Sequence, residues 1–193
     1  MKKVVVIGAG AAGMMAAITA AQSGASVTLI EKNEKTGKKI FITGKGRCNV
    51  TNGCEHDEFF ENIVTNSKFL YSAYAAFDNR SMMELLKEAG CPLKEERGKR
   101  IFPQSDHSSD VIAALNRLLK KERVKVLFHT AVRELLLEEL PEEAQREASK
   151  DPAKQKVSGV LLVDGTTIKA DAVIVATGGQ SYDCLLYTSD AAD

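Results

Sequence analysis

The hydrophobic pattern opens with residues 4–7, three valines and an isoleucine without polar alternation. Such a run is typical of a parallel strand buried on both faces. Residues 11–22 are mostly Ala or Met and favour a helix, which Ser23 and Gly24 end. Apolar runs at residues 25–30 and 172–176 predict two more strands. The pattern therefore indicates an α/β fold with a parallel sheet.

Later patterns predict elements added to this sheet. Amphipathic spacing indicates a helix over residues 110–121. Residues 92–96 and 100–103 look like two short strands on either side of Gly98 and indicate a hairpin. Further strands are predicted at residues 124–128, 130–137, 156–163 and 166–169, and the last two form a second hairpin.

The region between residues 58 and 89 reads as mostly helical. We expect Ser67 to cap a helix that ends near Phe77, and Asp78 or Asn79 to cap a second helix that Gly90 ends. Four aromatic residues of the first helix recur at helical spacing, which is typical of core positions. They are Phe69, Tyr71, Tyr74 and Phe77.

The first strand runs directly into Gly8-Ala9-Gly10-Ala11-Ala12-Gly13, a full G-x-G-x-x-G motif. Gly8 permits a sharp turn, Gly10 permits close approach of a pyrophosphate, and Gly13 permits tight packing of the helix on the sheet. The helix start, with Ala11 and Ala12, is a site suited to phosphate because its N–H groups lack helical partners.

Glu31 stands at the end of the second strand, about twenty positions after the motif, where a dinucleotide-binding fold uses an acidic residue. A carboxylate there accepts hydrogen bonds from both hydroxyls of an adenosine ribose and repels a 2′-phosphate. These residues predict FAD or NAD. The alternative, a tight glycine turn without ligand, leaves Gly13 and Glu31 unexplained.

Composition narrows the class of protein. The chain has 193 residues, 26 basic against 26 acidic, and four cysteines without metal-ligand or redox spacing. Balanced charge gives no support for nucleic acid or an anionic membrane as a partner. No segment resembles a signal peptide or a transmembrane helix, so we expect a cytoplasmic protein. The cysteine spacing predicts reduced thiols and no metal site. We expect the substrate to be a small molecule.

Residues 32–53 are rich in Gly, Lys and Asn, and we interpret them as a long loop beside the cofactor rather than as core structure. Its cationic side chains, including Lys32, Lys38, Lys39, Lys45 and Arg47, are candidates for binding phosphate. A solvated basic loop is the alternative on charge alone.

Part of this segment, Gly44-Lys45-Gly46-Arg47-Cys48-Asn49-Val50-Thr51-Asn52, resembles the GRCNxTN signature of the BaiN-like or aminoacetone-oxidase-type FAD-dependent oxidoreductases. That family has a glutathione-reductase-like flavoprotein fold. Residues 98–103 and 176–179 match it as well. The resemblance covers residues 1 to about 182 and implies a Rossmann-like FAD-binding domain, with FAD as the cofactor.

The resemblance also implies site residues. Arg47, Cys48 and Asn49 would lie along FAD, with Arg47 at phosphate, and Val132 would bond the adenine through its backbone. The strand end at Thr177, Gly178 and Gly179 would reach back to the dinucleotide. For Cys48 we favour a packing role over a reactive thiol, because its spacing to Cys54 is not that of a disulfide oxidoreductase.

Two segments stand apart from this domain. Residues 138–155 read as a surface excursion with few large apolar side chains. Residues 184–193 do not continue the family pattern, and with one choice of codons they can be encoded by DNA that resembles a transposon-end adapter used in preparing sequencing libraries. We therefore expect residues 1–183 to be the N-terminal part of an FAD-binding domain, incomplete at its C-terminus, and residues 184–193 to be a foreign tail.

Two classes of function follow. In the first, the whole protein is an FAD-dependent oxidoreductase that moves a hydride from a reduced nicotinamide or an organic substrate to a small-molecule acceptor. This fragment is then expected to be inactive. In the second, the domain binds NAD or FAD without turnover, as a regulatory or RNA-associated module. The catalytic residues, the substrate and the oligomeric state are not identified by the sequence.

Overall fold

The structure is a computed structural model that describes residues 1–140 and 155–179. It divides into two compact units: the first contains Met1–Gly37 and Leu119–Asp193, and the second contains Lys38–Leu118. The expected foreign tail at 184–193, and residues 141–154 of the expected surface excursion, lie outside the described residues.

The first unit consists of a parallel sheet, one helix packed on it and an antiparallel meander. Its elements are β1 (Lys3–Ile7), α1 (Ala11–Gln22), β2 (Ser26–Ile30), β6 (Lys125–Leu127), β7 (Val132–Glu139), β8 (Gln155–Leu162), β9 (Thr167–Lys169) and β10 (Ala172–Val175). The parallel sheet has four strands in the order β10-β1-β2-β6, and β1 pairs in parallel with both β2 and β10. The three strands β7-β8-β9 form the antiparallel meander.

The core of this unit covers both faces of the sheet. Val5 and Ile7 of β1 pack with Val132, Val160 and other residues of the meander in one buried cluster. Val6 is fully buried and, because side chains alternate along a strand, points to the opposite face. α1 packs on the sheet with its side chains Met14, Ala17 and Ile18 buried. The apolar run of β1 is thus buried on both faces, as the sequence predicts.

The second unit combines short helices with a small antiparallel sheet. Its elements are α2 (Lys38–Ile42), β3 (Thr51–Asn52), α3 (His56–Glu61), α4 (Tyr71–Ala76), α5 (Asn79–Glu88), β4 (Leu93–Glu96), β5 (Arg100–Pro103) and α6 (Ser108–Lys121), whose last residues are counted with the first unit, and there are 3₁₀ turns at Thr43–Gly46 and Ser67–Leu70. The sheet has the strand order β3-β5-β4. Gly98 has a φ of 76° in the turn between β4 and β5, which glycine adopts without strain.

The predicted α/β class, the parallel sheet and both hairpins are confirmed. Asp78 caps α5, accepting the Ser81 N–H at 2.7 Å, as one of the two predicted alternatives requires. Ser67 does not cap a helix. Asn66 occupies the position before the 3₁₀ turn, in a left-handed conformation and without a side-chain cap.

Two expectations about residues 32–77 are wrong. Residues 32–53 are not only a loop, because they contain α2, a 3₁₀ turn and β3, and Ile40 and Cys48 are buried. Local bonds compensate for the polar composition; the Thr43 hydroxyl donates to the Ile40 carbonyl at 2.7 Å. The aromatic residues of α4 and its flanks are mostly not core: Phe69 is 78% exposed, and Tyr71 and Phe77 are also exposed. Helical spacing identified a common face but not what covers it.

In the ranges 1–140 and 155–179, no helix has both the length and the apolar composition needed to cross a membrane.

Candidate functional site

The glycine loop between β1 and α1 is held in shape by the protein itself. The Gly8 N–H donates to the Ile30 carbonyl at 2.7 Å, and the Ala9 carbonyl accepts the Gly37 N–H at 2.8 Å. Ala9 is fully buried. These bonds fix the loop at the carboxyl ends of β1 and β2, which is where parallel α/β sheets bind ligands.

At two of the three motif glycines, nearby protein atoms leave no room for a side chain. A Cβ on Gly8 would lie 2.6 Å from the Ala176 carbonyl oxygen, and Gly8 has a φ of 99°. A Cβ on Gly13 would lie 1.8 Å from the Gly8 carbonyl oxygen. Both distances are far below a van der Waals contact, so any other residue would force the loop, α1 and the end of β10 apart.

Gly10 is different, because nothing in the described protein requires a glycine there. Its backbone is extended, with φ −78° and ψ −171°, a conformation open to any residue. A Cβ on Gly10 would meet no described atom within 4 Å. The space that a side chain would fill is the space that a close pyrophosphate needs, so the loop fits a dinucleotide phosphate.

The N-terminus of α1 is also left without a side-chain partner among the described residues. Gly10 is its N-cap and provides no side-chain bond, and the first turn, which begins with Ala11 and Ala12, contains no acidic residue. A twelve-residue helix directs partial positive charge to this end. The predicted residues Gly10, Ala11, Ala12 and Gly13 therefore lie together at a helix start whose charge and free N–H groups suit an anion, and the binding itself stays a prediction.

Glu31 lies at the end of β2, beside the glycine loop, and its side chain is buried, with 8% exposed. One carboxylate oxygen, Oε2, accepts the Ala9 N–H at 2.8 Å. The other, Oε1, accepts two bonds from Asn33: the backbone N–H at 2.9 Å and the side-chain amide at 2.5 Å. Glu31 thus joins the glycine loop to the segment after β2, in addition to its predicted role at the ribose.

The end of β10 meets the glycine loop. The Ala176 N–H donates to the Ile7 carbonyl at 2.9 Å, which brings Thr177, Gly178 and Gly179 to the same edge of the sheet. A Cβ on Gly178 or Gly179 would meet no described atom within 4 Å. Lys32 is exposed immediately after Glu31. The contact of these four residues with a dinucleotide stays a prediction.

Val132 begins β7 and is 4% exposed. It pairs with Leu162 across the meander, and its side chain belongs to the buried cluster beneath the sheet. This is the ordinary strand position that the sequence indicates. Its backbone contact with adenine is implied by the family resemblance alone and also stays a prediction.

The remaining predicted residues belong to the second unit. Arg47 donates through Nη2 to Glu96 and through Nε to Asp106 at 3.0 Å, and its guanidinium carbon lies 4.4 Å from the centre of the Phe102 ring. The Glu96 hydrogen bond, followed by the Asp106 bond, raises the pKa of Arg47. Its positive charge is thus already matched by two carboxylates within the unit. The phosphate contact implied by the resemblance remains a prediction.

The neighbours of Arg47 also use their side chains within the second unit. Cys48 is buried with 6% exposed, and burial raises the pKa of its thiol, which favours packing over a reactive thiolate. The Asn49 amide, oriented with its NH₂ toward two carbonyls, donates to Thr51 at 3.0 Å and Ile101 at 3.2 Å. Asn52 donates to the Gly98 carbonyl at 2.9 Å. Lys39 is exposed on α2.

Sequence reasoning missed three side chains that shape these sites: Asn33, Glu96 and Asp106. Asn33 stands two residues after Glu31, a spacing that allows its side chain to fold back onto the carboxylate, and that signal was available. Glu96 and Asp106 are far from Arg47 in sequence, so only the folded hairpin brings them together. Within the described ranges, His, Cys, Asp and Glu side chains nowhere gather in threes in a way that could hold a metal ion.

Comparison with known proteins agrees with this geometry. Residues 2–191 match the HI0933-like protein Rossmann domain. The chain is 35% identical over 188 residues to the 3-dehydro-bile acid delta(4,6)-reductase of Clostridium scindens, covering 94% of this chain and 40% of the relative. It is 30% identical over 177 residues to the ribosomal RNA dihydrouridine synthase of Haemophilus influenzae, covering 92% and 40%. The chain therefore spans about 40% of the length of these curated relatives.

A solved structure shows the same fold at low identity. The 3-ketosteroid-delta4-(5alpha)-dehydrogenase of Rhodococcus jostii superposes with a TM-score of 0.64 and 17% identity, covering 92% of this chain and 46% of that one. The family match spans both units, and the glycine loop leaves open space at Gly10. The chain belongs to the HI0933-like, FAD-dependent Rossmann family of oxidoreductases that its GRCNxTN segment resembles.

Proposed function

We propose that the whole protein is an FAD-dependent reductase that saturates a carbon–carbon double bond conjugated to a carbonyl group. The observation that carries the binding part of the proposal is the open space at Gly10 beside an uncapped helix start and Glu31. The two kinds of curated relative carry the chemical part, because a delta(4,6)-reductase and a dihydrouridine synthase both reduce double bonds of this type.

The described residues would bind and orient the cofactor. FAD, when bound, supplies hydride transfer to the acceptor. The N-terminus of α1 and the backbone at Gly10 would hold the pyrophosphate, and Glu31 would hold the adenosine ribose. Gly178 and Gly179 leave room for close backbone approach at the same sheet edge. All of these roles position the cofactor, and none assigns a catalytic residue.

We propose further that the electrons come from NADH or NADPH and that the acceptor is a small organic molecule in the cytoplasm. The greater identity to the bile acid reductase and the balanced charge of this chain support a small-molecule acceptor over RNA or a membrane. The described cysteines, Cys48, Cys54 and Cys91, are free thiols, which suits a reducing compartment. A binding module without turnover is not favoured by this family.

The test uses the full-length protein purified from the complete gene. A flavin spectrum establishes the cofactor, and anaerobic addition of NADH or NADPH should bleach it. Addition of a 3-keto-4,6-diene steroid should restore the oxidised spectrum, whereas uridine-containing RNA should not. Restoration by RNA alone would move the assignment to RNA reduction. A bound flavin that neither nicotinamide reduces would contradict the proposed donor, and protein without flavin would contradict the proposal as a whole.

A further inference from the structure

The hydrogen bonds of Glu31 are divided unequally between its two oxygens. Oε1 accepts two N–H donors from Asn33, at 2.9 Å from the backbone and 2.5 Å from the side chain. Oε2 accepts one, from Ala9 at 2.8 Å. A carboxylate has about four acceptor positions, two on each oxygen. Within the described residues, the two positions of Oε1 are filled and one position on Oε2 is open.

The segment that carries Asn33 is fixed by backbone bonds. The Asn33 carbonyl accepts the His129 N–H at 3.1 Å, and the Glu31 carbonyl accepts the Thr130 N–H at 3.0 Å. The Glu31 N–H in turn donates to the Leu127 carbonyl at 2.8 Å. Residues 31–33 are therefore held along the chain that follows β6, and Asn33 is placed to keep its two donors on Oε1.

We propose that Asn33 is a positioning residue of the adenosine site, which occupies Oε1 of Glu31 and leaves Oε2 as the oxygen that accepts a ribose hydroxyl. The site then recognises one of the two ribose hydroxyls through Glu31, not both as the sequence alone predicts. The inference rests on the proposed binding of an adenosine dinucleotide at the glycine loop. It concerns binding specificity and does not depend on the reaction.

The test compares ADP with its 2′-deoxy and 3′-deoxy analogues by isothermal titration to the full-length protein after its bound flavin has been removed. For the wild type, one analogue should bind about as tightly as ADP and the other roughly 10- to 100-fold more weakly, the range for losing a hydrogen bond to a charged group. In Asn33→Ala, one position of Oε1 is released to the second hydroxyl. Both analogues should then bind more weakly than ADP.

Asn62→Ala is the matched control, because Asn62 is an exposed asparagine of the second unit. It should keep the wild-type pattern. A thermal melting curve without ligand checks that each variant folds. The comparison of the two analogues on the wild type tests the inference even if Asn33→Ala does not fold. Equal weakening of both analogues in the wild type, or an unchanged pattern in a folded Asn33→Ala protein, would overturn the role of Asn33. A wild-type protein that does not bind ADP would overturn the proposed dinucleotide site and this inference with it.

Discussion

The glycine loop of the first unit and the Arg47–Asn52 segment of the second differ in how they use their polar and steric features. At the loop, Gly10 faces open space and the start of α1 has no side-chain cap. In the second segment, Arg47, Asn49 and Asn52 direct their side chains to partners within their own unit. Both match family signatures, but Gly10 and the start of α1 face open space, whereas the side chains of Arg47, Asn49 and Asn52 form hydrogen bonds within their own unit.

This difference shows that two separate physical requirements can determine the residues of a family motif. A motif can be required because a ligand must fit, as at Gly10, or because the protein must hold its own shape, as in the hydrogen bonds that tie Asn49 and Asn52 to the β4–β5 hairpin. The glycine loop contains both cases, since Gly13 is required by the Gly8 carbonyl. The predictions below separate the two reasons experimentally.

The largest effect is expected for Gly13→Ala. The new methyl group would lie 1.8 Å from the Gly8 carbonyl oxygen, a backbone atom that cannot move without displacing the loop. Overpacking costs about 1–3 kcal/mol and occasionally more, and we expect the upper end or beyond. Urea denaturation should show it, with Gly10→Ala as the control in the same loop. Equal stability of the two variants would mean that α1 can shift away from the loop.

Gly10→Val should have the opposite profile. The extended backbone and open surroundings of Gly10 accept a side chain, so without flavin the melting temperature should stay near that of the flavin-free wild type. FAD binding should fall below detection because the branched side chain occupies the position of the pyrophosphate. Flavin retained after gel filtration measures this. A folded Gly10→Val protein with a full complement of flavin would place the phosphate elsewhere.

Glu31→Ala should reduce both stability and binding, because Glu31 serves the loop as well as the ribose. Loss of the carboxylate leaves the buried Ala9 N–H without its acceptor, which costs about 1–3 kcal/mol. ADP affinity should fall roughly 10- to 100-fold. Glu31→Gln keeps one acceptor oxygen and should recover part of the stability. Unfolding in urea and titration with ADP give the two values; unchanged ADP binding would remove Glu31 from the site.

The smallest effect is expected for Arg47→Met, and it should depend on pH. The Arg47 hydrogen bond lowers the pKa of Glu96, and Lys94 followed by Arg47 lowers the pKa of Asp106. Carboxylates with lowered folded-state pKa values stabilise the protein above their ordinary pKa near 4, and lose that contribution as pH falls through the lowered values. The difference in melting temperature between wild type and Arg47→Met should be greatest near pH 7 and shrink below about pH 4.

Arg80→Met is the control for that experiment. Arg80 forms a single ion pair with Glu55, and both side chains are more than half exposed, so its removal should change little at any pH. A pH-independent difference for Arg47→Met would show that packing on Phe102, and not the ion pairs, is what Arg47 contributes.

The sequence predicts those features that local steric rules determine. The β1–loop–α1 order, the sharp turn at Gly8, the close approach of Gly13 to the Gly8 carbonyl and the Asp78 cap all follow from residues close together in the chain. The partners of Arg47 do not, because Glu96 and Asp106 lie 49 and 59 positions away. The sequence could not predict the exposure of Phe69 either, because periodicity shows that residues share a helix face but not whether another element covers that face.

The most direct test is a crystal structure of the protein with ADP or FAD bound. The pyrophosphate should lie against Gly10 and the N-terminus of α1, one ribose hydroxyl should donate to Oε2 of Glu31, and Arg47 should remain paired with Glu96 and Asp106. A phosphate bonded to Arg47 with those pairs broken, or a dinucleotide bound away from Gly10, would contradict the assignment of the glycine loop as the ligand site and the second segment as its structural counterpart.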